Sequence, residues 1–149
     1  MKEDLIFKTN SSFNSVDYDK DSDRWQFYFA DKIYVASSGF WRLLESNRIV
    51  FVSLDQGHRF GLLQPLDLLE NVTQLLTGKK LTEIKVDKDT ADLTLTIADD
   101  IKIQILIVSM GYETYDFSID EKRFIGLGSG KIGLVEETDN PQVFTTRQM

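Results

Sequence analysis

The chain has no cysteine, a single histidine and two prolines among its 149 residues. The first absence excludes disulfides, thiol chemistry and thiolate metal sites, and the second leaves no histidine pair for a transition-metal or nucleophile set. Apolar runs are also short. The longest of note, "ILIV" at 105–108, is far from the roughly 20 residues a membrane helix needs. The start, "MKEDLIFKTN", has Glu3 and Asp4 and no apolar stretch, so it does not read as a secretory signal. These absences set the expectation of a water-soluble cytoplasmic protein with no membrane association.

Charge is the next constraint. The net charge is −7, and it divides unevenly: residues 1–80 carry 10 basic and 11 acidic side chains, and residues 81–149 carry 7 and 13. Such a balance repels phosphate backbones, which argues against nucleic acid and for a basic protein partner. With 42% hydrophobic residues, the length suits one globular domain with its own core.

A shift of 68 residues lays "DKDSDRWQFYFADKIYV" (19–35) on "DKDTADLTLTIADDIKI" (87–103). Asp19, Lys20, Asp21, Ala30, Asp31 and Ile33 match identically, and Trp25, Phe27 and Phe29 fall on Leu93, Leu95 and Ile97. Further on, "SLDQGHRFGL" (53–62) falls on "SIDEKRFIGL" (118–127). The chain therefore reads as two copies of one supersecondary unit, about 1–64 and 65–135, followed by a polar tail. The repeat also decides between a turn and a calcium loop for "DYDKDSD" at 17–23. The second copy has Ala91 in place of Asp23, and an EF-hand counted from Asp17 would need glycine at Ser22 and glutamate at Tyr28. Turn chemistry is preferred.

Alternation in "WQFYFA" and "DLTLTIA" predicts half-buried antiparallel strands, with "ADK" and "ADD" turning each into the next. Further strands are expected at 40–44, 48–54, 58–63, 113–119, 122–127 and 131–135. One helix, about 66–77, is written by the stripe Leu68, Leu69, Val72, Leu75 and Leu76, with Asp67 and Glu70 as a capping box and Gly78 as the stop. The repeat register extends this to a shorter helix over 2–9. The expected fold is α+β: tandem duplicated antiparallel β-meanders related by a pseudo-twofold, with one amphipathic helix between them, in a single domain sharing one core.

Candidate chemistry is sparse. His58 sits at an expected hairpin tip with Asp55 and Arg59 near it in sequence, and Asp99 and Asp100 are adjacent, so a strand or turn points them apart. "GLGSGK" (126–131) has the glycines and lysine of a phosphate loop, yet it is one residue short, Ile132 follows the lysine, and a strand follows instead of a helix. Nothing points to an enzyme, a cofactor or a metal. Two stretches suit a protein interface: Phe40 and Trp41 beside Arg42, and the acidic, tyrosine-bearing "GYETYDFSIDE", with Tyr112, Glu113, Tyr115, Asp116, Asp120 and Glu121.

The order helix, "LTGKKLTEIKV", "ADLTLTIADDIKIQI", "GYETYDF", "IGLGSGKI" over residues 68–134 resembles small bacterial immunity proteins of polymorphic or contact-dependent toxin systems. The resemblance implies a protein that blocks a toxin by binding and has no chemistry of its own. An acidic module neutralising a basic toxin domain is the functional expectation. Two alternatives stand beside it: a small-molecule-binding or weakly enzymatic domain with Asp55, His58 and Arg59 rimming a pocket between the repeats, and a structural subunit that homodimerises through edge strands.

Overall fold

The computed structural model describes residues 3–135 and 142–145. Its elements are β1 (Leu5–Asp19), β2 (Arg24–Phe29), β3 (Ile33–Ser37), β4 (Trp41–Glu45), β5 (Arg48–Val52), a 3-10 turn (Ser53–Asp55), α1 (Leu68–Leu76), β6 (Lys80–Val86), β7 (Leu93–Ile97), β8 (Ile101–Ile105), β9 (Tyr115–Ile119), β10 (Lys122–Gly126), β11 (Lys131–Val135) and β12 (Gln142–Thr145). The strands form one antiparallel order, β12-β11-β10-β9-β3-β2-β1-β6-β7-β8-β4-β5. One antiparallel sheet with one helix is the α+β class that the alternation and the leucine stripe predict.

The fifteen-residue β1 divides its pairing: Leu5–Ser12 lies against β6, and Phe13–Asp19 lies against β2. Neighbours on one flank are therefore not always neighbours in sequence. The β4–β5 hairpin completes the flank of β6, β7 and β8 by pairing β4 with β8, whereas β9 and β10 join the other flank through β3. Inward residues of both flanks meet in one core. Trp41 lies edge-on to Trp25 at 5.3 Å and to Phe27 at 5.4 Å, and Phe7 reaches Phe117 at 5.8 Å and Phe124 at 5.1 Å. Burying each such side chain contributes about 1.5–3 kcal/mol, with an increment for aromatic geometry.

Helix α1 buries Leu68, Val72 and Leu76 in the same core, the 3.6-residue stripe read from the sequence. The Asp67 carboxylate caps it by accepting from the Leu69 N–H at 3.1 Å. The capping box is incomplete, because Glu70 accepts from Gln74 on the next turn instead of reaching back to Asp67.

Four two-residue hairpin turns have both central residues left-handed: Asp31-Lys32, Ser46-Asn47, Asp99-Asp100 and Asp120-Glu121. This is the type I′ geometry whose twist matches the flanking strands. The acidic stretch at 17–23 is a turn too. Asp19 accepts from the Asp21 N–H and Asp23 is left-handed, while Asp87 accepts from the N–H groups of Asp89 and Thr90 and Ala91 is left-handed. Hydrogen bonds from Ser22 and then the Asp21 amide hold the Asp19 carboxyl below its ordinary value, and those from Thr90 and Asp89 do the same for Asp87.

Three expectations need correction. The helix expected at 2–9 is not found over its described part, 3–9: from Leu5 these residues belong to β1, because Leu5 and Phe7 pack on the core while Ile6 and Lys8 face out, a period of two. Residues 58–63 are not a strand. They form a loop closed by Gly57 N–H to Leu66 O, Leu66 N–H to His58 O and Leu62 N–H to Arg59 O, and all six residues are exposed. Consequently 53–62 and 118–127 are not structural counterparts, since the latter spans the β9–β10 hairpin. The polar tail expected from residue 136 lies outside the described residues except for β12, which pairs with β11.

Candidate functional site

Pairing of β3 with β9, with Tyr34 opposite Ser118, sets the β2–β3 turn beside the β9–β10 turn. Between them lies an open cleft of about 660 Å³, with Asp31, Lys32, Asp120, Glu121 and Lys122 around its mouth and Tyr34, Ser118, Arg123 and Val135 along its walls. Asp31 is anchored by the Ser11 hydroxyl, which donates to Oδ2 at 2.7 Å. The rim thus mixes three carboxylates with cationic groups, on turns that strand pairing holds rigidly.

Beside the cleft is a buried carboxylate. Asp116 lies on the same side of β9 as Ser118, and its side chain is only 3% exposed. Arg24 reaches Oδ1 at 2.8 Å, and Arg123 Nε at 3.1 Å and the Tyr34 hydroxyl at 3.0 Å both donate to Oδ2. Two guanidinium groups and a phenol hydroxyl satisfy this enclosed carboxylate. Burial, reinforced by the Asp116 charge, pushes the Tyr34 phenol above its ordinary value, so Tyr34 remains a donor at neutral pH. The network fixes Arg123 and Tyr34, two of the cleft walls.

Of the residues the sequence singles out, Asp120 and Glu121 sit on this cleft and Asp116 lies beside it. Three are withdrawn from any open surface. Trp41 is wholly buried between Trp25 and Phe27; Tyr115 is 1% exposed; Asp116 is buried by its arginines. The cause for Tyr115 is strand parity: it faces inward with Phe117 and Ile119, and its hydroxyl donates to the Ala91 carbonyl at 2.8 Å. Burial raises its pKa strongly. Phe40 is half-buried. Tyr112, 81% exposed, and Glu113 lie beyond the opposite end of β9 from Asp120 and Glu121, so the acidic, tyrosine-bearing stretch is not one patch.

Sequence reasoning missed Asp31, Lys32, Tyr34, Arg24 and Arg123. A signal existed for the first two, since "ADK" marks a turn, but nothing local announces that β3 pairs with β9. Asp55, His58 and Arg59 line none of this cleft; His58 is exposed and lies 5.5 Å from the Phe60 ring. "GLGSGK" forms the β10–β11 connection, with Lys131 N–H donating to Gly128 O, and is followed by strand as the sequence indicates. Among the described residues no three acidic or histidine side chains gather as metal ligands, and no helix is long and apolar enough to cross a membrane. Comparison with protein families, with curated proteins and with solved structures found no match.

Proposed function

We propose that the chain is a protein-binding module of the immunity type, which engages a basic partner by receiving one of its lysine or arginine side chains in the cleft between the two turns. The observation that carries this reading is the placement of Asp31, Asp120 and Glu121, with Lys32 and Lys122 between them, around an open cleft of about 660 Å³ whose walls Tyr34 and Arg123 are held by Asp116. The left-handed turns fix the backbone that carries Asp31, Asp120 and Glu121, and the Ser11 hydroxyl holds the Asp31 carboxylate, which lowers the ordering entropy that opposes association. The net charge of −7 adds long-range attraction for a basic protein.

The duplication belongs to the same proposal. In this reading β1 with β2 and β3 corresponds to β6 with β7 and β8, and each copy donates its next hairpin, β4–β5 or β9–β10, to the other. The counterpart of the cleft then lies where the Ser46 N–H donates to the Asp100 carbonyl at 3.0 Å. There the partner turn is Ser46-Asn47, without the acids of Asp120-Glu121, so the acidic pair marks one copy for binding.

Titration calorimetry with an arginine-rich peptide and its citrulline counterpart tests the reading. Salt-sensitive binding of the cationic peptide, lost in Asp120→Asn/Glu121→Gln, is expected; equal binding of both peptides, or none at low salt, would sink it.

A further inference from the structure

Among the described residues, loop 54–66 gathers four exposed large apolar side chains. Leu54, Phe60, Leu62 and Leu63 are 66%, 67%, 54% and 91% exposed. The loop is not a slack connection. Its base is pinned by the paired bonds between Gly57, His58 and Leu66, and the Gln56 side chain accepts from the Leu68 N–H at 2.8 Å, tying it to the start of α1. At its tip, Leu62 and Leu63 flank a groove of about 460 Å³ whose other wall is the first turn of α1, with Asp67 and Glu70. A leucine that protrudes at the wall of this open groove puts a knob and a hollow on one surface.

We propose that this loop is a self-association surface, in which Leu63 of one copy seats in the groove of a second copy, and the reverse, about a twofold axis. Three observations select a second copy as the occupant. An isologous contact needs knob and hole on the same patch, and the loop has both. The charges allow it as well: Arg59 is exposed on the loop and Glu70 is exposed at the groove, opposite signs on neighbouring segments that a twofold can pair between copies. Finally, taking roughly 200 Å² for a fully exposed side chain of this size, the four residues present on the order of 550 Å² of apolar surface, the share each partner buries in a weak, concentration-dependent dimer. The contact is made by side chains on the loop and not by extension of the sheet. The adjacent edge strand β5 carries an extra residue, Val50, against β4, a bulge that blunts ladder addition. No residue of this surface belongs to the cleft, so the two readings fail separately.

Sedimentation velocity of the full chain from about 1 to about 200 µM, spanning affinities of a weak dimer, tests the proposal. A monomer–dimer equilibrium is expected, weakened at least tenfold by Leu63→Asp, a change at a site too exposed to disturb folding. Arg59→Glu and Glu70→Arg should each weaken it, and the double reversal in one chain should restore it, while Asp120→Asn leaves it unchanged. Monomer mass across the whole range would overturn the proposal and leave the groove to another occupant, such as a partner's helix. A dimer indifferent to Leu63→Asp and to both charge reversals would overturn it equally.

Discussion

Replacing Asp116 by alanine removes the common acceptor of Arg24, Arg123 and Tyr34 and leaves two guanidinium groups facing each other over a gap. Loss of one member of a fully buried ion pair costs about 3–5 kcal/mol, because the remaining charge is stranded. Here the arginines retain solvent, 29% for Arg24 and 43% for Arg123, so the Arg123 share is strongly screened. Arg24 and the neutral Tyr34 hydrogen bond therefore dominate, and the expected loss is about 3 kcal/mol for Asp116→Ala and about 2 for Asp116→Asn. For a domain of this size the alanine change corresponds to a fall in Tm of roughly 6–12 °C. Urea unfolding followed by the fluorescence of the buried Trp25 and Trp41 reads it directly. Arg24→Ala should cost more than Arg123→Ala, which should stay below about 1 kcal/mol. A loss under 1 kcal/mol for Asp116→Ala at unchanged m, or the reverse order of the two arginines, would refute the reasoning.

Gly126→Ala should destabilise by about 1–3 kcal/mol in the same denaturation assay, since a Cβ there would stand 2.2 Å from Tyr115 Cε2 in a fully packed core. Changing the turn Asp120-Glu121 to Asn-Gly should raise stability by about 1 kcal/mol, because Glu121 sits at φ 63°, while abolishing peptide binding at the cleft; unchanged stability would discount the strain. The Ser37 hydroxyl is buried without a partner, so Ser37→Ala should be neutral or stabilising by about 1 kcal/mol, and a clear loss on thermal melting would contradict that. Because the folded-state pKa of Asp87 is lowered, its contribution is present above the ordinary carboxylate value near 3.9 and is lost as pH falls through the folded value. An acid titration of Tm should therefore be shallower in Asp87→Asn.

The parts of this architecture legible in the sequence are those that local periodicity controls. Trp25, Phe27 and Phe29 announce an inward face, and Leu68, Val72 and Leu76 announce a helix, because side-chain direction alone writes those patterns. Their partners are a different matter. That β9 joins β3, and β4 joins β8, depends on contacts between residues about 60–80 positions apart, which no local pattern specifies. The same cause misplaced Tyr115, Asp116 and Trp41: parity makes one of two neighbours face outward, but only the assembled sheet shows that the outward Asp116 is covered by Arg24 and Arg123. The helix expected at 2–9 rests on a repeat register carried over from 68–76; Leu5, Ile6 and Phe7 are consecutive apolar residues with no period of two, and only burial in the sheet separates Leu5 and Phe7 from Ile6 and Lys8. The cleft was half legible, in its acidic turns.

The divided pairing of β1 bears on the order in which the chain acquires structure. Its second half meets β2 across a tight local turn, so that hairpin can form on the microsecond scale of hairpin closure. Its first half pairs with residues 80–86, and Leu5 lies opposite Val86. That contact closes a loop of about 80 residues, whose entropic cost is met only once β6 is in place. During synthesis, residues 5–12 must therefore wait, with Leu5 and Phe7 uncovered, until the chain beyond the helix has emerged. Hydrogen exchange during refolding should accordingly protect the amides of residues 15–29 before those of residues 5–12, and clipping the chain within residues 5–12 would open the seam between the two flanks.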